Sequence, residues 1–193
     1  MVNKEKNHDV GLILLGGSSK RMGYAKKYLP IKNNNSQTHM VELLKNSGIN
    51  EIFYSCAKNS QNDTNTHIND IHNDLGPLVG IYSALLHLID KGYKNMVIVP
   101  IDMPLLKKEN IIALLHGKQY ADACCFSAKP LPLCLSITIE IIKTVEFLIK
   151  NNTRSLRKFL HIIKTIEIEI KNKQELIDMN TPGAWVYVNK LLK

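Results

Sequence analysis

The sequence predicts an α/β fold: a Rossmann-like three-layer α/β/α sandwich around a mostly parallel sheet. Residues 10–15 are a short continuous apolar run bounded by glycine, as in a strand covered on both faces, and 51–57 and 94–99 read as further strands, the last ended by Pro100. Between them lie segments whose apolar residues recur at helical spacing, the alternation that builds a parallel sheet with helices on both faces. The 193 residues are 45% hydrophobic and 22% charged, which fits one globular domain over 1–193 with a substantial core.

In chain order, residues 10–15 are the first strand and 16–30 a loop. A helix over 37–46 carries Met40, Val41, Leu43 and Leu44, and Gly48 stops it. Residues 51–57 form the second strand, and 58–74, rich in Asn and Asp, read as one long loop. Gly76-Pro77-Leu78-Val79-Gly80 opens a helix bearing Ile81, Ala84, Leu85, Leu88 and Ile89, with Pro77 in the first turn, where no N–H is needed. The buried strand 94–99 ends at Pro100-Ile101-Asp102-Met103-Pro104. A helix at 109–116 and a strand at 121–126 follow. Beyond Lys129-Pro130-Leu131-Pro132 the pattern predicts a strand at 133–137, helices at 139–150 and 155–160, and a β-branched strand at 163–170. Thr181 or Asn180 caps a last helix that has Pro182 at its first position.

The net charge of +8 points to an anionic partner, a description that nucleic acid, a nucleotide and an acidic cofactor all meet. Abundant lysine throughout the chain supplies part of that excess. Four cysteines form no C-x-x-C pair and have no histidines at zinc spacing. The adjacent Cys124 and Cys125 read as buried free thiols of a reducing compartment. Residues 1–9 are polar, unlike a signal peptide, and no run reaches the ~18 apolar residues of a membrane span. A cytoplasmic protein without membrane contact is expected.

Three places carry chemistry. The first is Leu15-Gly16-Gly17-Ser18-Ser19-Lys20-Arg21-Met22-Gly23, followed by Lys27. Glycines at a strand end let a ligand approach the backbone, and exposed N–H groups with nearby Arg and Lys suit a polyphosphate. The glycine spacing is neither that of a P-loop nor that of G-x-G-x-x-G. A plain Gly-rich turn is the competing explanation. The second is Asp102, just past a strand's carboxyl end, where open parallel sheets bind ligands. One carboxylate there can hold Mg²⁺ whose other ligands are phosphates and waters, although a turn residue between two prolines would look the same. The third is the segment before Gly76 and Gly80, where Asp70 or Asp74 could accept hydrogen bonds from a base. Its small residues would let base or ribose pack against backbone.

The first of these segments, with Lys27 and Leu29, resembles the N-terminal signature of the NTP-transferase fold, and most closely that of the molybdenum cofactor guanylyltransferases (the MobA family). Later segments resemble the same family in the same order: His67-Ile68-Asn69-Asp70 before Gly76-Pro77-Leu78-Val79-Gly80, then Pro100-Ile101-Asp102-Met103-Pro104, Pro132-Leu133-Cys134-Leu135, Arg154-Ser155-Leu156, and Asn180-Thr181-Pro182. The resemblance implies transfer of GMP from GTP to the phosphate of molybdopterin, with Mg²⁺ and release of pyrophosphate. It implies that the backbone at Leu15, Gly16 and Gly17 holds the nucleotide and that Arg21 and Lys27 neutralise its phosphates. It places Asp70, beside Gly76 and Gly80, near guanine and ribose, Asp102 on the metal, and Arg154, Asn180 and Thr181 on the pterin side. Molybdoenzymes and other cofactor-biosynthesis proteins are the implied partners, with no role for nucleic acid. The acceptor phosphate is itself the nucleophile, which agrees with the lack of a convincing catalytic triad.

Departures from the family pattern are Leu15 for the usual Ala, Lys26 for an acidic residue, and Lys32-Asn33-Asn34-Asn35 in place of a Gly-Lys-Pro-like turn. Asp178 stands for the first Asn of Asn-x-Asn, and Gly183 and Ala184 replace acidic residues. Two alternatives follow: a relative using another base or acceptor, such as a molybdenum cofactor cytidylyltransferase, and a cofactor-binding homologue impaired in catalysis. The pair Gly16-Gly17 favours guanine.

Overall fold

A computed structural model describes residues 8–15, 30–31, 34–57, 65–71 and 76–192. Its first apolar run is β1 (Asp9–Leu14), whose side chains alternate between the sheet's two faces. Val10, Leu12 and Leu14 enter one core and Ile13 the other. On its flanks run β4 (Ile52–Cys56) and β6 (Asn95–Pro100), both parallel to it, with Gly11 opposite Ile52 and Val97. Here α1 (Ser36–Asn46) packs against the sheet: a Cβ on Gly11 would stand 2.9 Å from Leu44 Cδ1.

β5 (His67–Asn69), β7 (Ala123–Phe126), β8 (Lys129–Ser136) and β9 (Thr165–Ile168) complete a seven-stranded sheet of order β5-β4-β1-β6-β8-β7-β9. β8 runs antiparallel to β6 and β7, and the other neighbours pair in parallel. One face is covered by α2 (Pro77–Leu88), α4 (Ile139–Lys150) and α5 (Leu156–Ile162) through Leu78, Leu85, Val145 and Phe159. The other is covered by α1 and α3 (Lys108–Lys118) through Met40, Leu44, Ile111 and Leu114. This is the three-layer, mostly parallel sandwich that the alternation of apolar runs predicts. The antiparallel pair β2 (Pro30–Ile31)–β3 (Asn34–Asn35) and α6 (Pro182–Leu191) form a smaller cluster in which Ile31, Met179 and Val188 are buried together. Thr181, rather than Asn180, caps α6, its hydroxyl accepting from Ala184 N at 3.2 Å.

Residues 58–74 are not loop throughout, because His67–Asn69 pairs with β4 as the edge strand β5. Three residues are too few to show a period; backbone bonds from Tyr54 N to Thr66 O and from Asp70 N to Cys56 O hold them in place, and the His67 ring stacks on Tyr54. β8 starts at Lys129 rather than at residue 133, despite two prolines. Pro130 and Pro132 fall between the pairs Phe126↔Lys129 and Cys125↔Leu133, where the register shifts and no ladder N–H is asked of them. The antiparallel pair β2–β3 and a 3-10 turn at Lys173–Leu176 escape the pattern because neither has an apolar period.

Cys124 and Cys125 are free and buried, as expected from the sequence, and so are Cys56 and Cys134. Burial pushes the thiols of Cys124 and Cys125 up to about 11 and raises that of Cys134 as well. Among the described residues no helix is long and apolar enough to cross a membrane.

Candidate functional site at the carboxyl edge of the sheet

Parallel pairing sets the ends of β1, β4, β5 and β6 on one edge. Leu15 N donates to Ser55 O (3.1 Å), Ile101 N to Leu14 O (3.2 Å), and Asp70 N to Cys56 O (2.9 Å). Leu15, Asp70 and Asp102, assigned to ligand binding from sequence, therefore share that edge. The segment with Gly16, Gly17, Lys20, Arg21 and Lys27, and likewise Asp74, lies outside the described residues; Leu15 is the last described residue before it.

Asp102 is half-buried between Ile101 and Met103, both packed into the core, so the turn after β6 is anchored on either side of the carboxylate. Two further contacts fix this turn. His39 Nε2 on α1 donates to Pro104 O at 2.8 Å, and the Asp102 carbonyl accepts from Met179 N at 2.8 Å. Beyond the turn, Lys107 N donates to Asn110 Oδ1, and Asn110 Nδ2 in turn donates to Glu175 Oε2, which ties the start of α3 to the 3-10 turn before Met179. Burial raises the Glu175 carboxyl, but the hydrogen bonds from Lys107 and Asn110 outweigh it, leaving the group below its ordinary value.

Asp70 follows β5. Ser55 Oγ donates to its Oδ1 at 2.9 Å, and burial raises its carboxyl above the ordinary value, an effect that the Ser55 hydrogen bond opposes. Ser83 Oγ accepts from Ile71 N (3.0 Å) and donates to Val79 O (3.0 Å), pinning the chain after Asp70 to α2. Gly80 lies in the first turn of that helix, where a Cβ would run into Ser55 Oγ and stand 3.2 Å from Asp70 Oδ1. Gly76 begins the helix at φ +80°, backbone that L side chains rarely adopt. Both glycines thus have a local job: Gly80 clears room for the Ser55–Asp70 pair, and Gly76 turns the chain into α2.

Because β8 is antiparallel to β6, its first residue, Lys129, lies at the same edge. Lys129 Nζ is 2.6 Å from Asp178 Oδ2, and Asn180 Nδ2 donates to Asp178 Oδ1 at 2.6 Å. Arg154 is exposed on the turn between α4 and α5. Three residues on, Arg157 Nη2 donates to Ala128 O at the start of β8, which brings this turn to the edge as well. Ser55, Ser83, His39 and Lys129 were not singled out from sequence. Ser55 had a signal, being the polar residue of an otherwise apolar strand; the others show only through pairing in space.

Among the described residues no group of three His, Cys, Asp or Glu side chains could hold a metal ion. That donor set does not form a protein cage for a cation. It fits an ion held by one carboxylate and completed by substrate phosphates and water.

Comparison with known proteins shows the family and the fold. A family model described as the MobA-like NTP transferase domain matches residues 11–165. A molybdenum cofactor guanylyltransferase from Xanthomonas euvesicatoria pv. vesicatoria is 30% identical over 179 residues, 91% of each chain. The crystal structure of molybdopterin-guanine dinucleotide biosynthesis protein A from Archaeoglobus fulgidus shares the fold, with TM-score 0.76 over 94% of this chain and 97% of that one, at 21% identity. So does 4-diphosphocytidyl-2C-methyl-D-erythritolsynthase from Anaerococcus prevotii, with TM-score 0.73 over 95% of each chain, at 11% identity.

Proposed function

The chain belongs to the MobA-like NTP transferase domain family, and from that premise we propose that it transfers GMP from GTP to the phosphate of molybdopterin-type molybdenum cofactor, releasing pyrophosphate. The observation that supports this most is the placement of Leu15, Asp70 and Asp102 on one sheet edge, with Asp178 and Asn180 tied to Asp102 through Met179.

In the transfer, an oxygen of the acceptor phosphate forms a bond to the α-phosphorus of GTP while the bond from that phosphorus to the β-phosphate oxygen breaks. Attack and departure need in-line positioning and positive charge on the leaving pyrophosphate, and little else from the protein. The residue that would hold Mg²⁺ is Asp102, and the ion would supply charge stabilisation to the phosphates. His39 and Met179 keep the Asp102 turn in place through Pro104 O and Asp102 O. Asp70, set by Ser55, accepts from the guanine edge or ribose. By their place in the motif, the backbone of Leu15, Gly16 and Gly17 receives the nucleotide, and Arg21 and Lys27 balance its phosphates. Gly76 and Gly80 let α2 begin beside the base. Arg154, Asn180 and Thr181 face the pterin. Molybdoenzymes that use the dinucleotide cofactor are the proposed recipients.

Titration calorimetry of the protein with GTP and with CTP, in the presence of Mg²⁺, tests the nucleotide half. Tighter binding of GTP supports guanylyl transfer, and tighter binding of CTP moves the chain to the cytidylyl branch. Arg21→Ala should weaken GTP by about 1–3 kcal/mol through lost charge-assisted hydrogen bonds.

A further inference from the structure

Lys129 and Asp178 are 49 residues apart in sequence, and their half-buried side chains meet at the carboxyl edge with 35% and 32% exposure. The Asp178 carboxylate spends both oxygens on described partners, Oδ2 on Lys129 and Oδ1 on Asn180. A carboxylate only accepts, so the Asn180 amide must turn its nitrogen toward Asp178, which fixes the amide's orientation. Between them, Met179 is fully buried against Ile31 and Val188, and its N–H is held by the Asp102 carbonyl. The Asp178–Asn180 segment is thereby held from two sides: by the Met179 backbone to Asp102, and by the Asp178 carboxylate to Lys129.

We infer that Lys129 is a positioning residue for the acceptor, setting the Asp178 carboxylate and, through it, the Asn180 amide beside Asp102. This rests on the acceptor assignment proposed above. The ion pair also makes sense of Asp178, where the family pattern has Asn. An amide at that position would need no cation, whereas a carboxylate beside the phosphates of two anionic substrates does. Lys129 supplies it from the strand that enters the sheet at this edge. A cation free to pair with either substrate would affect both alike; one fixed on Asp178 acts on the side that Asn180 serves.

The test measures GMP transfer to molybdopterin by the full chain and by K129M, K129R and the K129M/D178N double variant, with KM for each substrate, kcat and Tm. For K129M the expected result is a rise of about tenfold or more in acceptor KM, with GTP KM within about twofold and little change in Tm. K129R should stay within about threefold of the unaltered protein, because the guanidinium keeps the charge. K129M/D178N should recover most of the loss, since the carboxylate that required a cation is gone. An unchanged acceptor KM in K129M would overturn the inference. So would a parallel rise in both KM values, accompanied by a lower Tm and uncorrected in the double variant, which would mark a purely structural ion pair. If the unaltered protein binds GTP but transfers nothing to molybdopterin, the acceptor assignment falls, and Lys129's role in it falls too.

Discussion

The backbone N–H of Met179 lies 2.8 Å from the carbonyl oxygen of Asp102, joining the segment before α6 to the turn after β6. That one bond brings residues 77 positions apart to the same end of the sheet, and the buried Met179 side chain holds it shut. Met179→Ala should cost about 2–5 kcal/mol, the range for truncating a buried methionine. It should also raise acceptor KM more than GTP KM. Urea unfolding and steady-state kinetics check the two halves. A stable variant with unchanged acceptor KM would show that Met179 does not position the site.

Asp70 gives a pH-dependent prediction. Its folded pKa is raised by burial above the ordinary value of 3.8, so the folded chain binds this proton more tightly than the unfolded chain. The stabilising contribution is therefore complete at pH below 3.8 and is lost as pH rises through the folded value. Above that, the buried carboxylate costs stability. Asp70→Asn, which can still accept from Ser55, should raise Tm at pH 7, with the gain shrinking toward zero in acid, while GTP affinity falls. Equal Tm differences at pH 4 and pH 7 would contradict the burial of this charge.

Gly80 separates a packing role from a backbone role. Gly80→Ala puts a methyl group against Ser55 Oγ, which can move away only by releasing Asp70. A loss of about 1–3 kcal/mol is expected for this overpacking. GTP binding should weaken with it, and Ser55→Ala/Gly80→Ala, which removes the obstructing hydroxyl, should regain part of the stability. If the double variant is no more stable than Gly80→Ala, the obstruction lies elsewhere.

Most of the fold was legible because its signal is local and periodic. The apolar runs of β1, β4 and β6 and the helical spacing of α2 and α4 mark covered strands and core-packed helices without any knowledge of partners. β5 and the β2–β3 pair were not legible, because two or three residues become strand only when a neighbour offers its ladder. The site divides the same way. Asp102 and Asp70 could be picked out as carboxylates just past strands. Lys129 and His39 act through residues 49 and 65 positions away, and no spacing rule reaches that far.

The buried thiols should be chemically quiet. Cys124 and Cys125, raised to about 11, carry almost no thiolate at pH 8 and are closed to solvent. Labelling of the native protein with a thiol-reactive disulfide should proceed only as fast as the chain opens, and rapidly in 6 M guanidinium. Fast labelling of more than one cysteine in buffer would show that the β7–β8 pair is not closed.

Transfer itself is the most direct measurement. Purified protein is incubated with Mg²⁺, molybdopterin and each of GTP and CTP; pyrophosphate release is followed, and the product is identified by mass. The expected result is a guanine dinucleotide of molybdopterin formed with GTP, little product with CTP, and a rate about 10³-fold lower in Asp102→Asn. No pyrophosphate from GTP, or a wild-type rate in Asp102→Asn, would contradict the assignment of this sheet edge as a guanylyl-transfer site.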